Sequence, residues 1–189
     1  LIGSQADVYG WYTINDDNSL SDYSNWMSLA NAAVGFNPTD FYDHVLYIHP
    51  GGGTATADYG GKRLISNWVN TQANEAIISH EIGHNLGFHH AKSYDCGSLA
   101  IASSGCTETE YGDTAEVMAT STSTNYVHPS AARKLAAGWL GDESVIVVDP
   151  GNAPGTFSVV LHPIEDPSTN IKILKIPNNL RGEEYYVDY

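Results

Sequence analysis

One segment of the sequence, SHEIGHNLGFHHA at residues 79–91, has the residue types and spacing of a metal site. His80 and His84 are four residues apart, so on a helix their imidazoles lie on one face, one turn apart, where both can bind one metal ion. Glu81 lies about 100° round the helix axis from His80. That position suits a carboxylate that reaches a metal-bound water rather than the metal itself, and it predicts a general base.

A third ligand requires the chain to leave the helix after His84. On a straight helix His90 would lie about 15 Å along the axis from His80, whereas a zinc–nitrogen bond is about 2.0–2.1 Å long. Gly87 can take a left-handed conformation and end the helix. The spacing therefore predicts a helix, a break at Gly87 and a returning His90. Geometry alone does not separate His90 from its neighbour His89, but the spacing after the glycine favours His90.

The remaining residues predict an α+β fold, a twisted mixed sheet with helices on one side. Apolar periodicity predicts the helices, and β-branched and aromatic runs predict the strands. The helices are expected at 22–35, 72–87 and 129–140. A loop-rich stretch at 91–128 separates the second helix from the third. Strands are expected at 7–14, 44–49 and 54–61, the last as a short edge strand, and at 144–149, 156–164, 171–176 and 183–189. The predicted domains are a catalytic domain over 1–141 and a β-rich extension over 142–189, which the given sequence could truncate.

Composition indicates a globular protein, and the two cysteines leave its compartment open. Of the 189 residues 42% are apolar and 16% charged, and the net charge of −14 argues against nucleic acid or an anionic membrane as a partner. No apolar run approaches the ~20 residues of a membrane helix. The chain opens LIGSQADVYG without an initiator methionine, so we expect a processed or trimmed piece, from which any signal peptide or pro-segment would have been removed. Cys96 and Cys106 are expected to form a disulfide in a secreted protein, and would be two free thiols in a cytosolic one.

These residues resemble the metzincin family of zinc metallopeptidases. Its extended zinc motif is matched residue by residue at His80, Glu81, His84, Gly87 and His90. EYGDTAEVMATS at 110–121 looks like the family's Met-turn, with Met118 as the methionine that packs under the metal without binding it. The resemblance implies a metzincin-type fold, a Zn²⁺ cofactor and a secreted endopeptidase in which zinc-activated water attacks the peptide bond and Glu81 is the base. It also implies that a protein or peptide substrate lies along an edge strand near 54–59.

Within the metzincins the chain is most similar to the gametolysin-like peptidases. The similarity rests on GHNLGFHHA, on the cysteine-bounded loop and on EYGDxxxVM, and it covers residues 72–141 well. Ala91 departs from the acidic, Ser or Pro residue that follows the third ligand in astacins, adamalysins, matrixins and serralysins. Thr120 stands where astacins and serralysins carry a metal-associated tyrosine, so no fifth ligand is expected there. Tyr111 and Tyr126 are candidates for oxyanion stabilisation, although packing roles suit both better.

Two alternatives to a working peptidase remain open. The first is an inactive zinc-binding interaction module, against which Glu81 argues because bound zinc alone needs no base. The second is a zymogen whose zinc is blocked by a pro-segment. Calcium could bind near the acidic residues Asp16, Asp17, Asp40 and Asp43, but no EF-hand-like spacing supports it. The other histidines are read as ordinary surface or hydrogen-bonded residues: His44, His49, His128 and His162.

Overall fold

The computed structural model describes residues 6–15, 22–50, 55–67, 75–99, 102, 104–119, 128–149, 156, 158–178 and 182–189. The chain forms two compact units, Leu1–His89 and His90–Tyr189. None of the described helices has the length and apolar character that crossing a membrane requires.

The first unit contains a mixed three-stranded sheet and two helices. In chain order its elements are α1 (Tyr23–Val34), a 3₁₀ turn (Pro38–Asp40), β1 (Val45–His49), β2 (Thr56–Ala57), β3 (Arg63–Asn67) and α2 (Glu75–Asn85). The strand order is β1-β3-β2, with β1 parallel and β2 antiparallel to β3. The short strand β2 therefore lies at an edge of this sheet, where the sequence predicts an edge strand.

Helix α1 begins and ends at residues suited to those positions. The Asp22 carboxylate accepts a hydrogen bond from the Asn25 N–H at 3.0 Å, which caps the helix N-terminus. Gly35, at φ 91°, donates its N–H to the Asn31 carbonyl and stops the helix. Trp26 and Met27 are buried and pack against β3 in the core of this unit.

The second unit begins with a disulfide-closed hairpin and ends in a second three-stranded sheet. Its elements are β4 (Ser93–Asp95), β5 (Thr107–Thr109), α3 (Ala131–Ala136), a 3₁₀ turn (Asp142–Ser144), β6 (Val145–Val147), β7 (Ile173–Asn178) and β8 (Glu183–Val187). Strands β4 and β5 pair antiparallel, and Cys96 and Cys106, which lie just inside the hairpin, are bonded to each other. In the second sheet the order is β6-β7-β8, with β6 parallel and β8 antiparallel to β7.

Several predicted elements are shorter than expected or absent. The described residues 6–15 and 158–164 contain no strand, and some of their apolar side chains lie outside any core: Val8 is 88% and Val160 76% exposed. Helix α3 covers only part of 129–140. The sequence did not predict β3 or the hairpin β4–β5, whose strands are only three residues long. Residues 72–74 lie outside the described residues, and both the domain boundary after residue 141 and the placing of two helices on one side of the sheet stay predictions.

Candidate metal centre

Helix α2 positions two histidines and a glutamate within one and a half turns. His80 and His84 lie one turn apart, with ring centroids separated by 4.8 Å and planes at 87°. The end of the helix is fixed to the turn between β2 and β3: the Asn85 side-chain amide donates to the Asp58 and Arg63 carbonyls, at 2.9 and 3.0 Å. The Gly60 N–H donates to the His84 carbonyl at 2.8 Å. These bonds hold the C-terminal turn of α2, and with it His84, against the sheet of the first unit.

The helix ends abruptly at Gly87, which takes a φ of 85°. The Gly87 N–H donates to the His84 carbonyl at 2.9 Å, and the Phe88 N–H donates to the Gly83 carbonyl, also at 2.9 Å. This pair of bonds is the Schellman motif, which closes a helix through one left-handed residue. An added Cβ at Gly87 would meet no atom within 4 Å, so the left-handed backbone, and not a lack of space, is what favours glycine there.

Beyond the turn, the chain brings a third imidazole back towards the first two. Within the segment 80–90, one possible ligand atom each of His80, His84 and His90 lies within 4.8 Å of the others. Tetrahedral zinc with bonds of about 2.0–2.1 Å needs nitrogen–nitrogen distances of about 3.4 Å. The three nitrogens therefore need to approach one another by up to about 1.4 Å to hold such an ion. In the part of the chain that the structure describes, no other group of three or more His, Cys, Asp or Glu side chains meets in this way.

Hydrogen bonds at Nδ1 prepare two of these histidines for a metal. The His84 Nδ1 lies 2.8 Å from the Phe88 carbonyl oxygen, and the His90 Nδ1 lies 2.7 Å from the Glu110 Oε1. A carbonyl and an ionised carboxylate can only accept, so in the neutral form of both rings Nδ1 carries the proton and Nε2 keeps its lone pair. Metal-binding histidines commonly have their other ring nitrogen held in this way. The donor set therefore fits a zinc ion.

Glu81 has a buried carboxyl group, one oxygen of which makes no hydrogen bond within the described residues. The residue is 6% exposed, and its Oε2 finds no hydrogen-bond partner among the described residues. Burial raises the pKa of Glu81 to about 7. A cation held beside it would act in the opposite direction and favour the carboxylate. A buried acid with an unused oxygen, next to a histidine pair, is suited to accepting and returning a proton.

A turn around Met118 lies directly against the residue after His90. Met118 is fully buried, and its carbonyl accepts a 2.8 Å hydrogen bond from the Ala91 N–H. The turn is held by the buried Glu116, whose Oε2 accepts from the Met118 N–H at 2.9 Å and whose Oε1 accepts from the Ser130 N–H at 3.2 Å. The Arg133 Nε lies 3.3 Å from the same Oε1. Burial raises the pKa of Glu116, while Arg133 and the two N–H groups oppose that rise.

The rival histidine, His89, does not belong to the group of three found among the described residues. The His89 ring stacks on Tyr59, with centroids 4.2 Å apart and planes at 22°. The Tyr111 hydroxyl, a candidate for oxyanion stabilisation, lies 3.0 Å from the His90 Nε2. The other candidate, Tyr126, lies outside the described residues, as do Thr120, Asp16 and Asp17.

Four of the remaining predicted residues have partners in the structure. The His44 Nδ1 is 3.3 Å from the Asn85 Oδ1, the His49 ring packs on Trp26, and the His162 Nδ1 lies 3.8 Å from Asp166. Asp40 accepts a hydrogen bond from the Asn37 side chain.

Sequence reasoning did not single out Glu110 or Glu116. Both lie within EYGDTAEVM, where the sequence analysis assigned candidate roles only to the tyrosine and the methionine. The available signal was that two glutamates lie in a segment resembling the turn below a metal. Carboxylates often orient metal-binding histidines or accept hydrogen bonds from buried N–H groups. Nothing in their spacing from His90 or Met118 identifies those partners.

The sequence was also compared with known proteins. Residues 44–145, more than half of the chain, match the family model described as "Metallo-peptidase family M12B Reprolysin-like". The matched range contains the three histidines, Glu81, the disulfide and the turn around Met118. Searches of curated proteins and of solved structures gave no match.

Proposed function

The chain belongs to the Reprolysin-like M12B family of metallo-peptidases, and on that premise we propose that it is a secreted zinc-dependent endopeptidase with Glu81 as its general base. Membership makes it a peptidase, a hydrolase of peptide bonds, and M12B metallopeptidases use zinc. To this the proposal adds the identity of the base, cleavage within chains and a place outside the cell.

The observation that carries the proposal is the position of Glu81 beside His80 on α2. Its carboxyl group is buried, and the Oε2 atom makes no hydrogen bond within the described residues. A buried polar atom without a partner costs about 1–3 kcal/mol. A protein is expected to retain such a destabilising group where the group is needed for catalysis. A purely structural metal site gives no reason for it.

In this proposal His80, His84 and His90 hold the ion through three neutral imidazole nitrogens. Zinc, when bound, supplies a Lewis acid that polarises a coordinated water and the scissile carbonyl. Glu81 accepts the proton of the attacking water at a carboxylate oxygen as the oxygen–carbon bond forms. It then delivers that proton to the amide nitrogen as the carbon–nitrogen bond breaks, so the products are a free carboxylic acid and an amine. Neither step requires a covalent enzyme intermediate, and the bonded Cys96 and Cys106 supply no thiol.

The edge strand β2 is the proposed place for the substrate backbone. In the first unit's sheet β2 pairs with β3 on one side, through Thr56↔Ile65 and Ala57↔Leu64. An extended peptide can add to such an edge by main-chain hydrogen bonds, which recognise backbone rather than particular side chains. This mode favours unfolded or extended protein substrates and makes action within chains the expected outcome.

The finer likeness to the gametolysin-like metzincins is also part of the proposal. It rests on GHNLGFHHA, on the cysteine-bounded loop and on EYGDxxxVM. Between the first and last of these segments, the Ala91 N–H donates to the carbonyl of the buried Met118. Met118 would be the Met-turn methionine, and Gly87 the residue that returns the chain. The disulfide between Cys96 and Cys106 supports a secreted protein, because such bonds persist in oxidising surroundings. A pro-segment that is later removed, and a catalytic domain over 1–141, belong to the same proposal, as do the lack of nucleic-acid and membrane partners.

The direct test is hydrolysis of a generic unfolded protein by the purified chain. We expect cleavage that stops when zinc is removed with a chelator and returns when stoichiometric zinc is added back. Mass spectrometry of the products should show cuts within the substrate chain rather than at its ends. Cleavage that continues at full rate in a zinc-free protein would refute the zinc mechanism, and trimming from the ends alone would refute the endopeptidase assignment.

A further inference from the structure

Two neighbouring residues after β5 hold both ring nitrogens of His90. The Glu110 Oε1 lies 2.7 Å from Nδ1, and the Tyr111 hydroxyl lies 3.0 Å from Nε2. The Tyr111 ring also packs against the imidazole, with centroids 4.0 Å apart and planes at 37°. All three residues belong to the second unit, so this arrangement is independent of helix α2.

Glu110 acts on the tautomer of the imidazole. Because a carboxylate only accepts, its contact with Nδ1 places the single proton of the neutral ring there and leaves the lone pair on Nε2. Lys92 holds the same carboxylate from the other side, with its Nζ 3.2 Å from Oε2. Lys92 also bridges to Glu108 at 2.8 Å, but of these two ion pairs it is the one with Glu110 that holds the carboxylate facing His90.

Tyr111 acts on the other nitrogen. With the ring proton on Nδ1, Nε2 can only accept, so the Tyr111 hydroxyl donates its hydrogen to that lone pair. A metal ion needs the same lone pair, and one lone pair cannot serve both. The backbone of Tyr111 is held at φ 60°, the one positive φ outside glycine in the described chain. A bulky residue in that region is strained, and such strain is found where a functional contact requires it.

We propose that Glu110 and Tyr111 set the zinc affinity of His90 in opposite directions: Glu110 presents Nε2 to the metal, and Tyr111 competes with the metal for it. Both are positioning residues, because they act through His90. The proposal rests on the zinc site of the proposed function. Opposite signs are its distinctive feature, since general damage to the hairpin would weaken zinc binding in both variants.

The experiment measures zinc affinity of the full chain by competition with a chromophoric chelator at about pH 8, where imidazoles are in general neutral. Glu110→Ala should bind zinc about 10- to 100-fold more weakly, the usual effect of losing an outer partner of a metal-binding histidine. Glu110→Gln should lie between it and the wild type, because the amide oxygen can still accept from Nδ1. Tyr111→Phe, which keeps the ring and loses the hydroxyl, should bind about 2- to 10-fold more tightly, the equivalent of one hydrogen bond.

Matched controls come from the same hairpin. Glu108→Ala removes an equal charge that contacts Lys92 and not His90, and Tyr94→Phe removes the hydroxyl of an exposed tyrosine on β4. Both should bind zinc as the wild type does. A second readout needs no zinc. ¹⁵N spectra of the metal-free protein should show that the His90 ring is protonated at Nδ1. The His90 signals are identified by their loss in His90→Gln. In Glu110→Ala the ring should become a mixture of tautomers.

The outcomes separate this inference from the proposed function. If both variants weaken zinc binding, or neither differs from its control, the inference is wrong, while chelator-sensitive hydrolysis by the wild type still supports the peptidase. If the wild type binds zinc without cleaving protein, the proposed function is wrong and the affinities still decide the inference. If the wild type binds no zinc, both are overturned.

Discussion

The N–H of Ala91 and the carbonyl of Met118 are joined by a 2.8 Å hydrogen bond. This bond fixes the chain one residue after His90 to a turn whose methionine is fully buried. The carboxylate of Glu116 holds this turn: it accepts hydrogen bonds from the Met118 and Ser130 N–H groups and lies beside Arg133. One buried carboxylate therefore supports the backbone on which the third histidine rests.

We predict that Glu116→Ala lowers the free energy of unfolding by about 2–4 kcal/mol. The substitution leaves two N–H groups and a guanidinium without their acceptor, and breaking a buried ion pair costs about 3–5 kcal/mol. The estimate is lower because the Arg133 side chain remains 21% exposed to water. Urea unfolding of metal-free protein gives the measurement. Glu143→Ala, at an exposed glutamate, is the control and should change the stability by less than about 0.5 kcal/mol. Equal stabilities of the two variants would show that Glu116 does not hold the turn.

The second prediction concerns the left-handed residue at the end of α2. Gly87→Val should sharply weaken zinc binding, because a β-branched residue resists the φ of 85° and would misplace the returning chain. Gly87→Asn should keep most of the affinity, since asparagine tolerates this conformation and the structure leaves room for a side chain. Zinc content after dialysis against a weak chelator compares the two. Equal loss in both variants would mean that something other than the backbone conformation requires glycine.

The third prediction distinguishes the two adjacent histidines. His90→Ala should remove one of three protein ligands and sharply weaken zinc binding. His89→Ala should leave zinc binding nearly intact, because the His89 ring stacks on Tyr59. The same dialysis measurement applies, with equal protein concentrations and circular dichroism spectra to show that both variants are folded. Loss of zinc from His89→Ala with retention in His90→Ala would move the third ligand by one residue.

The fourth prediction is that the purified chain carries a bond between Cys96 and Cys106. Intact-mass measurement in denaturant with an alkylating reagent should show no added groups without reductant and two after reduction. The loop between the cysteines is short, so the bond restricts the unfolded chain and should stabilise the hairpin β4–β5 by a few kcal/mol at most. Uptake of two alkyl groups before reduction would contradict the pairing.

Much of the candidate site could be predicted because its information is local. Four-residue spacing on a helix and a glycine three residues later specify where His80, His84 and the end of α2 lie. The partners of His90 and Met118 could not be predicted in this way. Glu110 lies 20 residues from His90, and its contact depends on a hairpin of two three-residue strands, too short to show an alternating pattern.

The fold shows the same division between local and long-range information. Helix α1 is readable from its cap, its periodicity and its terminal glycine. The run at 7–14 has the residue types of a strand, yet Val8 and Trp11 are largely exposed in irregular chain. Residue type favours a strand only when a neighbouring strand supplies hydrogen bonds and a surface to bury, and neither is encoded within the run.

The central claim is that Glu81 acts as the base of a zinc peptidase, and the turnover of Glu81→Gln at equal zinc content tests it most directly. Glu75→Gln, at an exposed glutamate in the first turn of the same helix, is the matched control. We predict that Glu81→Gln binds one zinc per chain and unfolds at the same urea concentration as the wild type or at a higher one. It should cleave an unfolded protein at least ~10²-fold more slowly than the wild type. Glu75→Gln should cleave at the wild-type rate. Wild-type turnover by zinc-loaded Glu81→Gln would contradict the assignment of Glu81 as the base.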